Sequence, residues 1–184
     1  ISPPVKGTSD YSPEPWNHIS TLPTWYELGE ITDVRLAELV EGYVGSNYRD
    51  MVFVFGQCYG GGFIDDLEDV TAGYGPVAIM SASRYDQVSY GGENEDCFLK
   101  AFKDVVRKHP GWTVKDLFYE AVEFDPAVAS NEETPQFFSQ PQPAGDNIRL
   151  HDGTANYAVL YAGIPTYWRY WNDLEYMYNT LRNL

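Results

Sequence analysis

Residues 51–62 read Met-Val-Phe-Val-Phe-Gly-Gln-Cys-Tyr-Gly-Gly-Gly, and this stretch decides the fold. Its apolar residues run together from Met51 to Phe55 without alternation. A run of that length suits one strand, and the lack of alternation suits a strand buried on both faces of a parallel sheet. Cys58 follows just past the end of the run. That place is the carboxyl edge of an α/β sheet, where such folds build their sites. Gly60, Gly61 and Gly62 let the backbone turn tightly and leave the sulfur approachable. A thiol so placed acts as a nucleophile when a base stands beside it. The competing reading is a small apolar filler, since free cysteine is among the most buried residue types.

Composition bounds the rest. The chain has 184 residues, enough for one domain with a real core. Hydrophobic residues make up 43% and aromatic ones 16%, which argues for a globular protein. With 27 acidic against 12 basic residues the net charge is −15. That balance disfavours nucleic acid and anionic membrane surfaces as partners. The two cysteines, Cys58 and Cys97, make no disulfide framework, and a working Cys58 has to stay unpaired. No apolar stretch approaches the roughly 20 residues of a membrane helix. No signal peptide is visible, and Ile1 in place of Met points to a trimmed or excerpted chain, compatible with a secreted or extracytoplasmic protein.

Residues 1–24 read as an irregular, proline-rich lead that also holds Trp16 and His18. Residues 25–124 form the half of the core that carries the Cys58 strand. Within it, Thr32 reads as an N-cap, and Leu36, Leu39, Val40 and Tyr43 fall on one helical face closed by Gly42 or Gly45. Asp65, Asp66, Glu68 and Asp69 lack the ligand spacing and loop glycine of an EF-hand, so they read as a solvated face, with calcium only a weak alternative and no other cofactor or metal implied. Residues 75–83 are a second buried strand. Residues 97–108 are a helix with Lys100, Lys103, Arg107 and Lys108 outside, and residues 113–123 are another, capped by Thr113. Residues 125–150 read as a loop or linker, rich in Pro, Gln, Asn and Ser, with a short edge strand at 148–150. Residues 151–184 give a third strong strand at 155–163 and an aromatic-rich helix. Strands alternating with helices predict an α/β fold of three αβα layers around a mostly parallel central sheet.

The stretch Phe-Gly-Gln-Cys-Tyr-Gly-Gly-Gly-Phe at 55–63 resembles the nucleophile strand of caspase-like cysteine peptidases, with the legumain-type enzymes the nearest. Val-Ala-Ile-Met-Ser-Ala-Ser at 77–83, with Ser89 and Tyr90, is similar to their following strand and specificity loop. Residues 32–40 resemble the helix before the nucleophile strand. Residues 157–163 and 167–174 resemble the family's first strand and the start of its first helix. Two features depart from the pattern. The strand at 157 closes this chain where it should open the domain, so the order is permuted or excerpted. The family's base is a histidine followed by glycine, and no His-Gly pair occurs here.

The resemblance implies a caspase-like fold and a cysteine endopeptidase acting on a peptide or protein substrate. Cys58 is then the nucleophile, its backbone N–H an oxyanion donor, and His18 the base by its separation from Cys58. His109 is better explained by the end of a helix, and His151 by a turn. Arg169 and Ser89 match residues that line the S1 pocket. The acid that the legumain pattern has two positions before the nucleophile is Gly56 here, so Asn selectivity does not carry over. The alternative is a caspase-like domain without its base, serving in binding or assembly. An unrelated thiol hydrolase or redox enzyme lacks support, since neither a Gly-x-Ser-x-Gly elbow nor a Cys-x-x-Cys pair is present.

Overall fold

The computed structural model describes residues 32–91 and 95–150. His18, His151, Arg169, the proline-rich lead and the strand expected at 155–163 lie outside the described residues.

The described chain opens with α1, Asp33–Leu39. The Thr32 hydroxyl accepts from the Arg35 N–H at 3.0 Å, which is the expected N-cap. A wider π-type turn, Val40–Val44, follows and ends on Gly45 at φ 51°, a value that favours glycine. Then come β1 (Met51–Phe55), α2 (Phe63–Thr71) and β2 (Val77–Ser81). After these come α3 (Cys97–Lys108), α4 (Val114–Phe124), the short α5 (Pro126–Ala129) and β3 (Gln136–Gln140).

The sheet is mixed, in the order β1-β2-β3. β1 and β2 pair parallel, Met51 opposite Val77 and Phe55 opposite Ser81. β3 runs antiparallel to β2, Val77 opposite Gln140. Side chains alternate between the two faces of a strand, and each face has its own cluster. Ala78 and Met80 pack with Phe98, Phe102, Leu117 and Phe118 of α3 and α4, and Val52 and Val54 join them. Val77 and Ile79 pack with Phe63 and Leu67 of α2 and with Val40, and Met51, Phe53 and Leu36 join those. The fold is thus α/β with helices on both faces of the sheet.

Four expectations change. Residues 125–147, read as a surface loop, contain α5 and β3. Asp66, read as part of a solvated face, is buried on the inner side of α2. Burial pushes its carboxyl up to about 7, with the neighbouring charges of Asp33, Asp65 and Asp69 adding to the effect. Lys103, placed outside α3, is buried, and its ammonium meets Glu95 at 2.5 Å. β1, expected to be buried on both faces, is only half-buried from Met51 to Val54, whereas every residue of β2 is buried.

Candidate active site

Cys58 lies where β1 gives way to a tight turn, at the carboxyl end of the parallel pair. The turn holds its shape by close approach. A Cβ on Gly60 would collide with the Ser81 hydroxyl, and one on Gly61 would stand 2.7 Å from the Tyr85 nitrogen. A Cβ on Gly56 would run into the Leu99 side chain of α3. The backbone contacts make glycine needed for space at Gly61, and Gly60 and Gly56 are crowded by side chains. The left-handed conformation falls instead on Tyr59, with φ 61° and ψ 14°. A non-glycine residue in that region carries a cost of about 1–2 kcal/mol, and such residues cluster at functional sites.

The loop after β2 pins the Cys58 turn. The Tyr59 N–H donates to the Gln87 carbonyl at 2.8 Å, and the Gly61 N–H to the Ser83 carbonyl at 2.9 Å. The Ser83 hydroxyl donates to the Gln57 carbonyl at 3.3 Å, and the Ser81 hydroxyl to the Ser83 carbonyl at 2.8 Å. Ser89 lies beside the sulfur. Its hydroxyl and its carbonyl each lie 3.8 Å from Cys58 Sγ, and the hydroxyl donates to the Gly56 carbonyl at 2.9 Å. Two of the sequence candidates, Cys58 and Ser89, are thereby brought together across 31 positions of sequence. The sulfur is free and half-buried. The Tyr59 phenol is held above its ordinary pKa by burial and then by the negative charge of a Cys58 thiolate beside it.

His109 does not reach this site. Leu99 of α3 packs against Gly56, and His109 lies ten residues further along that helix, about 15 Å away at 1.5 Å per residue. There its ring stacks on Trp112, with centroids 3.8 Å apart. Among the described residues no group of three or more His, Cys, Asp or Glu side chains is arranged to hold a metal ion.

Sequence reasoning missed the support beneath the Ser89 loop. Glu133 is buried, and its carboxylate accepts from the Tyr90 N–H at 2.6 Å. Burial pushes this carboxyl up to about 9; a hydrogen bond with Asp125 and the charges of Asp96 and Asp125 act in the same direction, and the Tyr90 N–H acts against them. Its surroundings thus favour the protonated carboxyl over the carboxylate, and Asp125 beside it accepts from the Ala127 N–H at 2.8 Å. Asp96 caps α3 by accepting from the Leu99 N–H at 2.9 Å. An acid immediately before the helix was a readable cap signal; nothing in the polar run around Glu133 signals burial.

Comparison of the chain with protein-family models, with curated proteins and with solved structures finds no match to any of them.

Proposed function

We propose that this chain is a caspase-like cysteine peptidase of the legumain type, which cleaves peptide bonds through a thiol acyl-enzyme. The observation that supports it most is the placement of Cys58. It stands at the carboxyl end of a parallel strand, in a turn cramped by glycines and held by the loop that carries Ser89 3.8 Å from the sulfur. In this reading the helices on both sheet faces belong to a caspase-like three-layer domain.

The chemistry follows from those positions and from the resemblance. The base, His18 in this reading, takes the Cys58 proton. The sulfur attacks the peptide carbonyl carbon, and the electron pair moves onto oxygen. The Cys58 N–H, with a second N–H near the base, holds that oxyanion. Collapse expels the amine, which leaves with the proton from the base. Water then gives the base a proton, attacks the thioester and releases the carboxylate and the thiol. Arg169 and Ser89 line the S1 pocket, and the planar guanidinium would hold an acidic or amide P1 side chain through paired hydrogen bonds.

A second reading keeps the fold and drops the chemistry: a caspase-like module for binding or assembly. The observation that favours it is that the one imidazole among the described residues, His109, stands at the far end of α3. A panel of fluorogenic peptides with acidic, amide and basic P1 residues separates the two. The peptidase reading expects turnover that falls at least about a thousandfold in Cys58→Ala. Turnover that survives in that variant removes Cys58 from the nucleophile role. Wild-type protein that binds the peptides without cleaving them selects the module.

A further inference from the structure

Residues 84–91, the loop beside the thiol, are tied to the segment before β3 at two points. The Tyr90 N–H donates to the Glu133 carboxyl at 2.6 Å, and the Gln87 side-chain amide donates to the Glu132 carbonyl at 3.1 Å. The same loop grips the Cys58 turn. The Gln87 carbonyl accepts from the Tyr59 N–H at 2.8 Å, and the Ser89 hydroxyl lies 3.8 Å from the sulfur. A change at Glu133 is thus passed to Cys58 through one short loop.

Glu133 stands among acids. Asp125 and Glu133 lie at the two ends of the α5 turn, and Ala127 joins those ends. Its N–H donates to Asp125 Oδ1 at 2.8 Å, and its carbonyl accepts from the Glu132 N–H at 2.8 Å. The start of α3 adds Asp96, which accepts from the Leu99 N–H at 2.9 Å. All three side chains are buried, with Asp96 and Asp125 at 1% exposure and Glu133 at 3%. Asp125 Oδ2 and Glu133 Oε1 are buried and receive no hydrogen bond from an N–H or hydroxyl of the chain. A proton on one of the two carboxyls is the hydrogen bond that such a pair can make. The bases of the neighbouring elements are engaged with other acids: Lys103 of α3 meets Glu95 at 2.5 Å, and Arg84 of the loop meets Asp86 at 2.9 Å.

We propose that the Asp125–Glu133 pair is a proton-dependent clamp on the site: while the pair holds a proton it keeps Ser89 against Cys58, and when both carboxyls ionise, with Asp96 beside them, it releases residues 84–91. The balance of forces supports that direction. The Tyr90 N–H by itself favours the carboxylate, but burial, the contact with Asp125 and the charge of Asp96 outweigh it and push the Glu133 carboxyl from 4.5 up to about 9. The closed clamp therefore binds its proton more tightly than the open one. Its hold is full at acid pH and is lost as pH rises through about 9. The site is then assembled at acid and neutral pH and loosened in alkali. The clamp concerns the geometry around Cys58 and not the reaction, so it stands under either reading of the function.

The test is amide exchange by NMR in the full, isotope-labelled chain, from about pH 6 to about pH 10. Protection at Tyr59 and Tyr90 is read after division by the intrinsic exchange rate at each pH, with Ile79 of β2 as the internal reference. The clamp expects protection at Tyr59 and Tyr90 to fall at least about tenfold over that range in the wild type while Ile79 stays protected. Glu133→Gln keeps an acceptor for the Tyr90 N–H and a donor for Asp125 at every pH, so it should show no such fall. Constant protection in the wild type, or an equal fall in the variant, overturns the proposal. Should the variant lose protection at Ile79 as well, the wild type decides through the carboxyl carbon of Glu133 and the amide proton of Tyr90. The two titrating together near pH 9 supports the clamp. A Glu133 carboxyl that titrates near 4.5, or a Tyr90 amide that does not follow it, overturns it.

Discussion

β1 and β2 pair along their whole length and are built from the same kind of residue, yet they do different work. β2 is enclosed: Val77, Ala78, Ile79 and Met80 are fully buried, and its loop is stitched by the Ser81 and Ser83 hydroxyls. β1 is half-buried, and its loop is cramped against that of β2 and carries the thiol. The difference teaches that an apolar run marks a strand's need for cover, and that neighbours decide whether it is met. It also separates the roles. β2 and its serine-lined loop are the scaffold, and β1 with its turn is the element placed by that scaffold.

The contrast is open to breaking by substitution. Ile79→Ala, at a fully buried position of β2, is expected to cost about 2–5 kcal/mol in urea denaturation. A cost below about 1 kcal/mol would mean that β2 is not the enclosed strand. In the turn, Gly61→Ala puts a methyl 2.7 Å from the Tyr85 nitrogen and 2.9 Å from the Arg84 carbonyl carbon, contacts with backbone that has little freedom to yield. It should destabilise by about 1–3 kcal/mol, and a neutral result would show that the two loops are not pressed together.

A smaller effect concerns Glu133, which holds the Ser89 loop from below. Its carboxyl is raised to about 9 in the folded chain from 4.5. Between those values the folded state binds more protons than the unfolded one, so its contribution to stability is full below pH 4.5 and falls as pH rises toward 9. Glu133→Gln keeps an acceptor for the Tyr90 N–H and removes the titration. Denaturation midpoints at mildly acidic and mildly basic pH should therefore differ less in the variant than in the wild type. An equal difference in both would assign the pH dependence to other groups, Asp66 first, since its carboxyl is also raised.

Much of this frame was legible in the residues. The helical spacing of Phe98, Leu99, Phe102, Val105 and Val106 gave α3 to the residue, and Thr32 and Thr113 cap the helices they precede. The uninterrupted apolar runs of β1 and β2 marked them as strands. β3 escaped because Gln136–Gln140 is half polar and sits between prolines, and its partner β2 is remote in sequence. The sequence puts Lys103 outside because lysine heads avoid burial unless paired, and its partner Glu95 lies eight residues away, before the helix begins. The site was readable at Cys58 and, through resemblance, at Ser89. In the sequence the glycines around Cys58 signal freedom to turn; in the structure they stand where space is short, and the left-handed residue is Tyr59. Glu133 could not be read, because burial of an acid in a polar run is decided by long-range packing.

The central claim is that Cys58, and not the other thiol, forms the acyl-enzyme. The direct test is intact-protein and peptide mass spectrometry after rapid quenching with a peptide thioester, in wild type, Cys58→Ala and His18→Ala. The account predicts one acyl group on Cys58, none on Cys97, no adduct in Cys58→Ala and slowed formation in His18→Ala. Acylation of Cys97, or of neither thiol while peptide is cleaved, would contradict it.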